Sequence, residues 1–285
     1  MRRWQRRRCA VTGLAFAAAA AAAVTGCAGG PAIDARYHAQ SQDSRVQFIV
    51  IHATELGFEA SLVRLTTAEV SSHYLIDRDP PRIYRLVPEE RRAWHAGKSY
   101  WQGQTHLNAS SIGIELVNEG AGADPASGYA PYPSAQIDRL LELLRDLERR
   151  HGVKPHHILG HSDIQPQCKR DPGPEFPWAR LAAEGLIPWP DAAQVAAAKI
   201  RFEQQLPEIA WFQRALAAHG FEVPRDGLLA PETRTVLAAF QMKYRPSQFD
   251  GAPDAETAAL LEVITSPGGL LIRGHDGQAR PYPSP

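Results

Sequence analysis

Residues 46–52 read Val-Gln-Phe-Ile-Val-Ile-His, a run of β-formers with one polar interruption. A run this apolar fits a strand covered on both faces, and such a strand needs a sheet with helices packed against it. Candidates for the rest of that sheet follow along the chain. Residues 71–77 and 82–87 are two short strand candidates separated by Asp79-Pro80-Pro81. Residues 111–118 place Ile112, Ile114 and Leu116 on one face and Glu115 on the other. Residues 156–160 form a short strand candidate that runs into a proline-rich loop at 165–177. Before it, Ile137, Leu140, Leu141, Leu144 and Leu147 keep a period of about 3.6 residues, which predicts a long helix capped by Ser134. The order β-α-β-β-β-α-β predicts an α/β fold, a mixed β-sheet flanked by helices.

The chain has 285 residues, enough for one large domain or two ordinary ones. With 44% hydrophobic and 22% charged residues it can bury a sizeable core, which excludes a disordered, collagenous or disulfide-stapled chain. Lys+Arg and Asp+Glu balance at 31 each, but five arginines fall within residues 1–26, where there is no acid. Without that segment 26 bases face 31 acids, a formal charge of −5. A mildly acidic remainder gives no electrostatic case for nucleic acid as a partner.

Arg2, Arg3, Arg6, Arg7 and Arg8 precede an apolar run at 10–24, the arrangement of a secretory signal over residues 1–26. The run ends in Val24-Thr25-Gly26-Cys27, which resembles a bacterial lipobox. That resemblance implies lipidation of Cys27, a lipidated tether over 27–44 and anchorage to a membrane. Ala28 after the cysteine implies the outer membrane, with the protein facing the periplasm. Cys9 would leave with the signal, so Cys168 is left without a disulfide partner.

Past Trp189-Pro190 the composition changes. An alanine-rich stretch reads as a linker at 191–204, leading to a helical unit at 205–265 and a flexible tail at 266–285. The helical unit contains an internal echo. Asp226-Gly227 and Asp250-Gly251 are each followed after four residues by Glu-Thr, and Phe212-Gln213 returns as Phe240-Gln241. Each Asp-Gly predicts a turn and each Glu-Thr a helix start, giving three short helices. About 60 residues make a small core, so this unit is expected to lean on the first.

The chemistry concentrates between residues 45 and 190. His161 follows a short strand and Asp171 follows ten residues later, in a loop stiffened by Pro166 and Pro172. His52 ends another strand. Two imidazoles and one carboxylate, with a coordination position left open, are the composition of a catalytic zinc site. Glu115 is an acid within an apolar strand, suited to general base and acid work on a water if a metal lies nearby. Lys169, between the two loop ligands, can stabilise an oxyanion.

Phe48 to Thr54, Val70-Ser-Ser-His73-Tyr74, Ala93-Trp94-His95-Ala96-Gly97, Ser111 to Leu116 and His161 through Gly173 together resemble the type-2 N-acetylmuramoyl-L-alanine amidases, the AmpD-like family. The resemblance implies a zinc amidase catalytic domain at 45–190 with the amidase type-2 fold, followed at 205–265 by a small three-helix domain similar to peptidoglycan-binding domains. It implies one Zn²⁺ per chain on His52, His161 and Asp171, with Glu115 and Lys169 as the catalytic pair. His73, Trp94, His95 and Asn108 fall where the family lines its substrate cleft. The implied partner is peptidoglycan or its muropeptides, the implied reaction is cleavage between N-acetylmuramic acid and L-alanine, and a monomer is expected. Two rivals stand beside this reading: a non-catalytic recognition lipoprotein, and a zinc peptidase acting elsewhere on the stem peptide. A complete donor set argues against the first, and the Trp94–Gly97 motif against the second.

Overall fold

The computed structural model describes residues 31, 33–67, 69–122 and 128–283. The signal and Cys27 lie outside the described residues. From Asp43 onward the chain forms one compact unit. In chain order its elements are β1 (Phe48–Ala53), α1 (Phe58–Thr67), β2 (Tyr74–Ile76), β3 (Ile83–Arg85), β4 (Tyr100–Trp101), β5 (Gln104–Thr105), β6 (Ser111–Leu116), α2 (Ser134–His151), β7 (Ile158–Gly160) and α3 (His161–Ile164). They continue as α4 (Trp178–Ala183), β8 (Trp189–Pro190), α5 (Ala192–Gln204), α6 (Ile209–His219), α7 (Pro231–Tyr244), α8 (Ala255–Thr265), β9 (Leu270–Arg273) and β10 (Ala279–Tyr282).

The central sheet has the order β3-β2-β6-β1-β7, with β2, β6, β1 and β7 parallel and β3 antiparallel at one edge. Its middle strands are apolar throughout because both faces are covered. Ile49, Ile51, Ile112 and Ile114 pack under α2 and α4, against Leu140, Leu144 and Leu181. Phe48, Val50 and Leu159 on the opposite face pack with Phe212, Leu237, Phe240 and Leu261 of the C-terminal helices. The helical unit therefore supplies one cover of the sheet.

Register decides where the chemistry falls. His52 pairs with Glu115, and Ile51 pairs with Gly160, the residue before His161. Three parallel strands thus end side by side, and ligand sites in open parallel sheets lie at those carboxyl ends.

Several segments differ from what the sequence predicts. The expected linker at 191–204 is helix α5, capped by Asp191, whose carboxylate accepts from the backbone N–H groups of Ala193 and Gln194. Its inner face is Ala198, packed with Ala259 and Val263 of α8. The expected tail at 266–285 carries β9 and β10, which join β8 in a small antiparallel sheet. Pro281 is tolerated there because β10 is an edge strand. Ser134 is the first residue of α2 rather than its cap, and its hydroxyl accepts from Arg180 Nη1 at 3.1 Å. Each Glu-Thr pair does sit in the first turn of a helix, one residue after its start, α7 opening at Pro231 and α8 at Ala255.

The echo has a structural cause. Gln213 Nε2 donates to Asp226 Oδ1 (2.8 Å) and Thr233 Oγ1 (2.9 Å), and Gln213 Oε1 accepts from Gly227 N (2.8 Å). Gln241 repeats this clamp with the carbonyl of Ala252 (2.8 Å), Thr257 Oγ1 (3.0 Å) and Gly251 N (2.8 Å). Gly227 and Gly251 both have positive φ, 75° and 73°, the conformation that lets each turn bring its N–H onto the buried glutamine.

Candidate active site

His52 comes from the end of β1, His161 from the start of α3 immediately after β7, and Asp171 from the loop that follows. That loop is pinned at several points. The Ser162 N–H donates to the Asp171 carbonyl (2.9 Å), and Tyr132 Oη donates to the Pro172 carbonyl (2.7 Å). At the base of α3, Asp163 Oδ2 accepts from the Gly160 N–H (2.8 Å) and pairs with Lys243 Nζ of α7 (2.7 Å).

These supports bring three donor atoms together. His52 Nδ1 lies 3.0 Å from His161 Nδ1, and each lies 3.2 Å from Asp171 Oδ2. His52 is 2% exposed and His161 4%. Ligands about 2.0 Å from a tetrahedral ion stand about 3.3 Å apart, so the separations fit a small metal ion held by two imidazoles and a carboxylate. The group can hold a metal. The tautomer of His161 suits this role. Its Nε2 lies 3.2 Å from Gln165 Oε1, which can only accept, so Nε2 carries the proton and Nδ1 keeps its lone pair.

Electrostatics agree with a site built for a cation. Burial pushes His52 down to about 4, and the neighbouring His161 adds to this, so the imidazole is neutral at pH 7. Burial opposes ionisation of Asp171, yet His161 and His52 beside it hold its carboxyl well below the usual carboxylate range. Burial pushes Glu115 up to about 8; Asp171 and Glu55 add to the rise and Lys169 opposes it. Among the described residues the Glu115 carboxylate has no hydrogen-bond partner, and it lines the same cleft of about 650 Å³ as the three donors. A half-buried acid kept close to neutral pH is able both to take and to return a proton. Lys169 is exposed on the lip of that cleft, with Cys168 beside it.

The expected substrate-lining residues divide. Trp94 is 51% exposed on the cleft wall, with the Arg92 guanidinium 4.0 Å from its ring centre. His95 reaches the cleft but has both ring nitrogens engaged inside the protein. His73 and Asn108 are buried and do not line the cleft. His73 Nδ1 accepts from the Gly113 N–H (3.0 Å), and its Nε2 faces the Arg91 carbonyl (3.1 Å). Asn108 Oδ1 accepts from the N–H groups of His95 (2.9 Å) and Ala96 (2.8 Å), so it shapes the turn that carries Trp94 and His95. The sequence reading missed Ser111, Tyr132, Asp163 and Gln165, which support the site without entering it. Ser111, Asp163 and Gln165 lie inside the motifs that drew notice, and Tyr132 lies outside them. The helical unit also reaches the cleft: Thr235 lines it, and Gln167 Nε2 donates to the Glu232 carbonyl (3.0 Å).

Residues 42–174 match the N-acetylmuramoyl-L-alanine amidase family model, and residues 205–261 match a peptidoglycan binding domain model. The chain is 42% identical over 262 residues to the N-acetylmuramoyl-L-alanine amidase AmiD of Escherichia coli (strain K12), covering 86% of this chain and 95% of that protein. It is 42% identical over 114 residues to the 1,6-anhydro-N-acetylmuramyl-L-alanine amidase AmpD of Enterobacter cloacae, covering 40% of this chain and 56% of that protein. Among solved structures, the complex of E. coli AmiD with anhydro-N-acetylmuramic acid-L-Ala-D-gamma-Glu-L-Lys is similar at a TM-score of 0.73 and 42% identity, over 81% of this chain and 92% of the other. AMPDH3 from Pseudomonas aeruginosa is similar at a TM-score of 0.75 and 37% identity, over 81% of this chain and 96% of the other.

Proposed function

Since the chain belongs to the N-acetylmuramoyl-L-alanine amidase family, we propose that it hydrolyses the amide between N-acetylmuramic acid and L-alanine in peptidoglycan or its muropeptides, with zinc held by His52, His161 and Asp171. The observation that carries this reading is the convergence of those three donor atoms in one cleft with an unpartnered Glu115. Zinc bound there would act as a Lewis acid, polarising the scissile carbonyl and bringing a water's pKa towards about 7.

The chain's own groups do the rest. Glu115 takes the proton of the attacking water, as its raised pKa suits it to do near neutral pH. Negative charge then develops on the carbonyl oxygen, and the Lys169 ammonium at the cleft lip stabilises it without a proton transfer. Glu115 returns the proton to the alanine nitrogen, which is a poor leaving group unless protonated. Trp94 offers an exposed aromatic face on the cleft wall, suited to packing against the apolar face of a sugar or stem peptide. The helical unit adds a wall-binding surface beside the cleft. Cys27 carries lipid and anchors the enzyme to the outer membrane on its periplasmic side; support for this comes from the signal and the Val24–Cys27 motif.

Digestion of purified muropeptides, followed by mass spectrometry with and without a chelator, tests the reading. The expected result is release of the stem peptide with a free L-alanine amine, abolished by the chelator and restored by zinc. Cleavage lower on the stem, or chelator-resistant release, contradicts it.

A further inference from the structure

His95 is aimed at the donor cluster by an unusual arrangement. Its Nδ1 lies 3.0 Å from His52 Nε2, on the side of the His52 ring away from His161 and Asp171. Its Nε2 lies 3.1 Å from Ser111 Oγ, and that hydroxyl lies 2.7 Å from the Leu107 carbonyl oxygen. The ring rests directly over Gly113: a Cβ there would come within 2.5–2.7 Å of three atoms of the imidazole. The φ of Gly113 is not positive, so the glycine is required by space and not by backbone conformation. Asn108 fixes the turn from which His95 projects. Ser111 and Gly113 thus fix the His95 ring, and Asn108 fixes its backbone.

The protons along this chain follow from one group that can only accept. The Leu107 carbonyl takes the single hydroxyl proton of Ser111, so towards His95 the serine oxygen must accept. His95 Nε2 therefore carries a proton. The ring is buried against His52 and His73, and its Nδ1 meets His52 Nε2 at 3.0 Å, so one of those two nitrogens donates to the other. With His52 Nδ1 turned to the donor cluster to offer a ligand's lone pair, His52 carries its proton on Nε2 and donates it to His95 Nδ1.

We propose that His95 and Ser111 are positioning residues that set the tautomer and ring orientation of His52, so that its Nδ1 is presented for metal coordination. The proposal rests on the assignment of His52 as a ligand. Outer partners of metal-bound histidines typically contribute ten- to a hundredfold in metal affinity.

The test reads protons and metal affinity and does not depend on turnover. In the metal-free protein with 15N-labelled histidines, two-bond proton–nitrogen correlation spectra should show His52 and His95 both protonated at Nε2, and zinc should leave both assignments unchanged. Competition with a chelator should show His95→Phe binding zinc ten- to a hundredfold more weakly than wild type, and His95→Gln, which keeps an acceptor, recovering part of the loss. Gly113→Ala, which pushes the ring aside, should weaken zinc binding like His95→Phe. A His52 protonated at Nδ1 in the metal-free protein, or His95→Phe with wild-type zinc affinity, overturns the proposal. If His52→Ala also keeps wild-type zinc affinity, the ligand assignment falls with it; if only His95→Phe does, the assignment stands and the relay alone is refuted.

Discussion

Gln213 and Gln241 in the helical unit are fully buried, and His52, His161 and Asp171 on the floor of the cleft are nearly so, yet their polar atoms meet different surroundings. Each glutamine amide has its donors on acceptors and its acceptor on a glycine N–H. The site instead points two imidazole nitrogens and a carboxylate oxygen at one another, acceptor towards acceptor. In the first region buried polarity closes a turn and contributes stability. In the second it is left unsatisfied by the protein, an arrangement that a cation resolves. Here it is the convergence of such atoms in an open cleft, beside the half-buried Glu115, that points to function.

The largest effect expected from probing the site is on rate. Glu115→Gln should keep zinc and lose kcat by about 10²- to 10⁴-fold, the range of a general acid–base. Lys169→Ala should also keep zinc and lose about 10²- to 10³-fold in kcat, as removal of an oxyanion-stabilising donor does. Steady-state kinetics on muropeptides with metal analysis of each variant checks both, and near-normal turnover in either would remove that residue from the chemistry. Neither substitution should lower thermal stability, because among the described residues neither side chain has a hydrogen-bond or ion-pair partner.

The clamps should behave the other way. Gln241→Ala is expected to cost about 2–4 kcal/mol in urea denaturation, since it removes three hydrogen bonds and leaves Thr257 and Gly251 with unmet polar groups. Its effect on turnover below the unfolding transition should be small. A loss of activity with unchanged stability would erase the distinction between the two regions.

A third group of polar side chains sharpens the comparison. Glu89 is held by Arg150, Tyr74 and His151, and the Arg150 hydrogen bond pulls its carboxyl down to about 2 against the effect of burial. A carboxylate whose pKa is lowered by folding stabilises above its unfolded value near 4.5 and loses that contribution as pH falls towards 2. Because Arg150 is partly exposed, about 1 kcal/mol at pH 7 is expected. The stability gap between wild type and Glu89→Gln should therefore close between about pH 5 and pH 2 in denaturation series. A gap constant across that window would mean that the charge contributes nothing.

Legibility in the sequence followed from how each element is packed. β1, β6 and α2 carry long apolar side chains at the spacing their structure needs, so they could be read directly, and with them the strand-end positions of His52, Glu115 and His161. Helix α5 packs Ala198 on Ala259 and Val263, with Val195 and Phe202 only partly buried beside it; amid so many alanines that short stripe does not stand out, and the segment reads as a linker. β10 hides behind Pro281, which usually marks an irregular segment but suits an edge strand. His73 and Asn108 fall where the family lines its cleft, but only the structure shows that they face inward. The shared core of Phe48, Val50 and the C-terminal helices has a practical consequence. Deleting the chain after about residue 200 would bare one face of the sheet, so loss of activity on truncation does not isolate wall binding.

The claim that two histidines and an aspartate hold one zinc ion that the reaction requires is tested most directly by metal content. Elemental analysis of purified wild type and His161→Ala, each dialysed against the same zinc buffer and assayed on the same muropeptides, should give one zinc and full activity for the first and neither for the second. Stoichiometric zinc in a folded His161→Ala protein, or undiminished amide cleavage without zinc, would contradict the account.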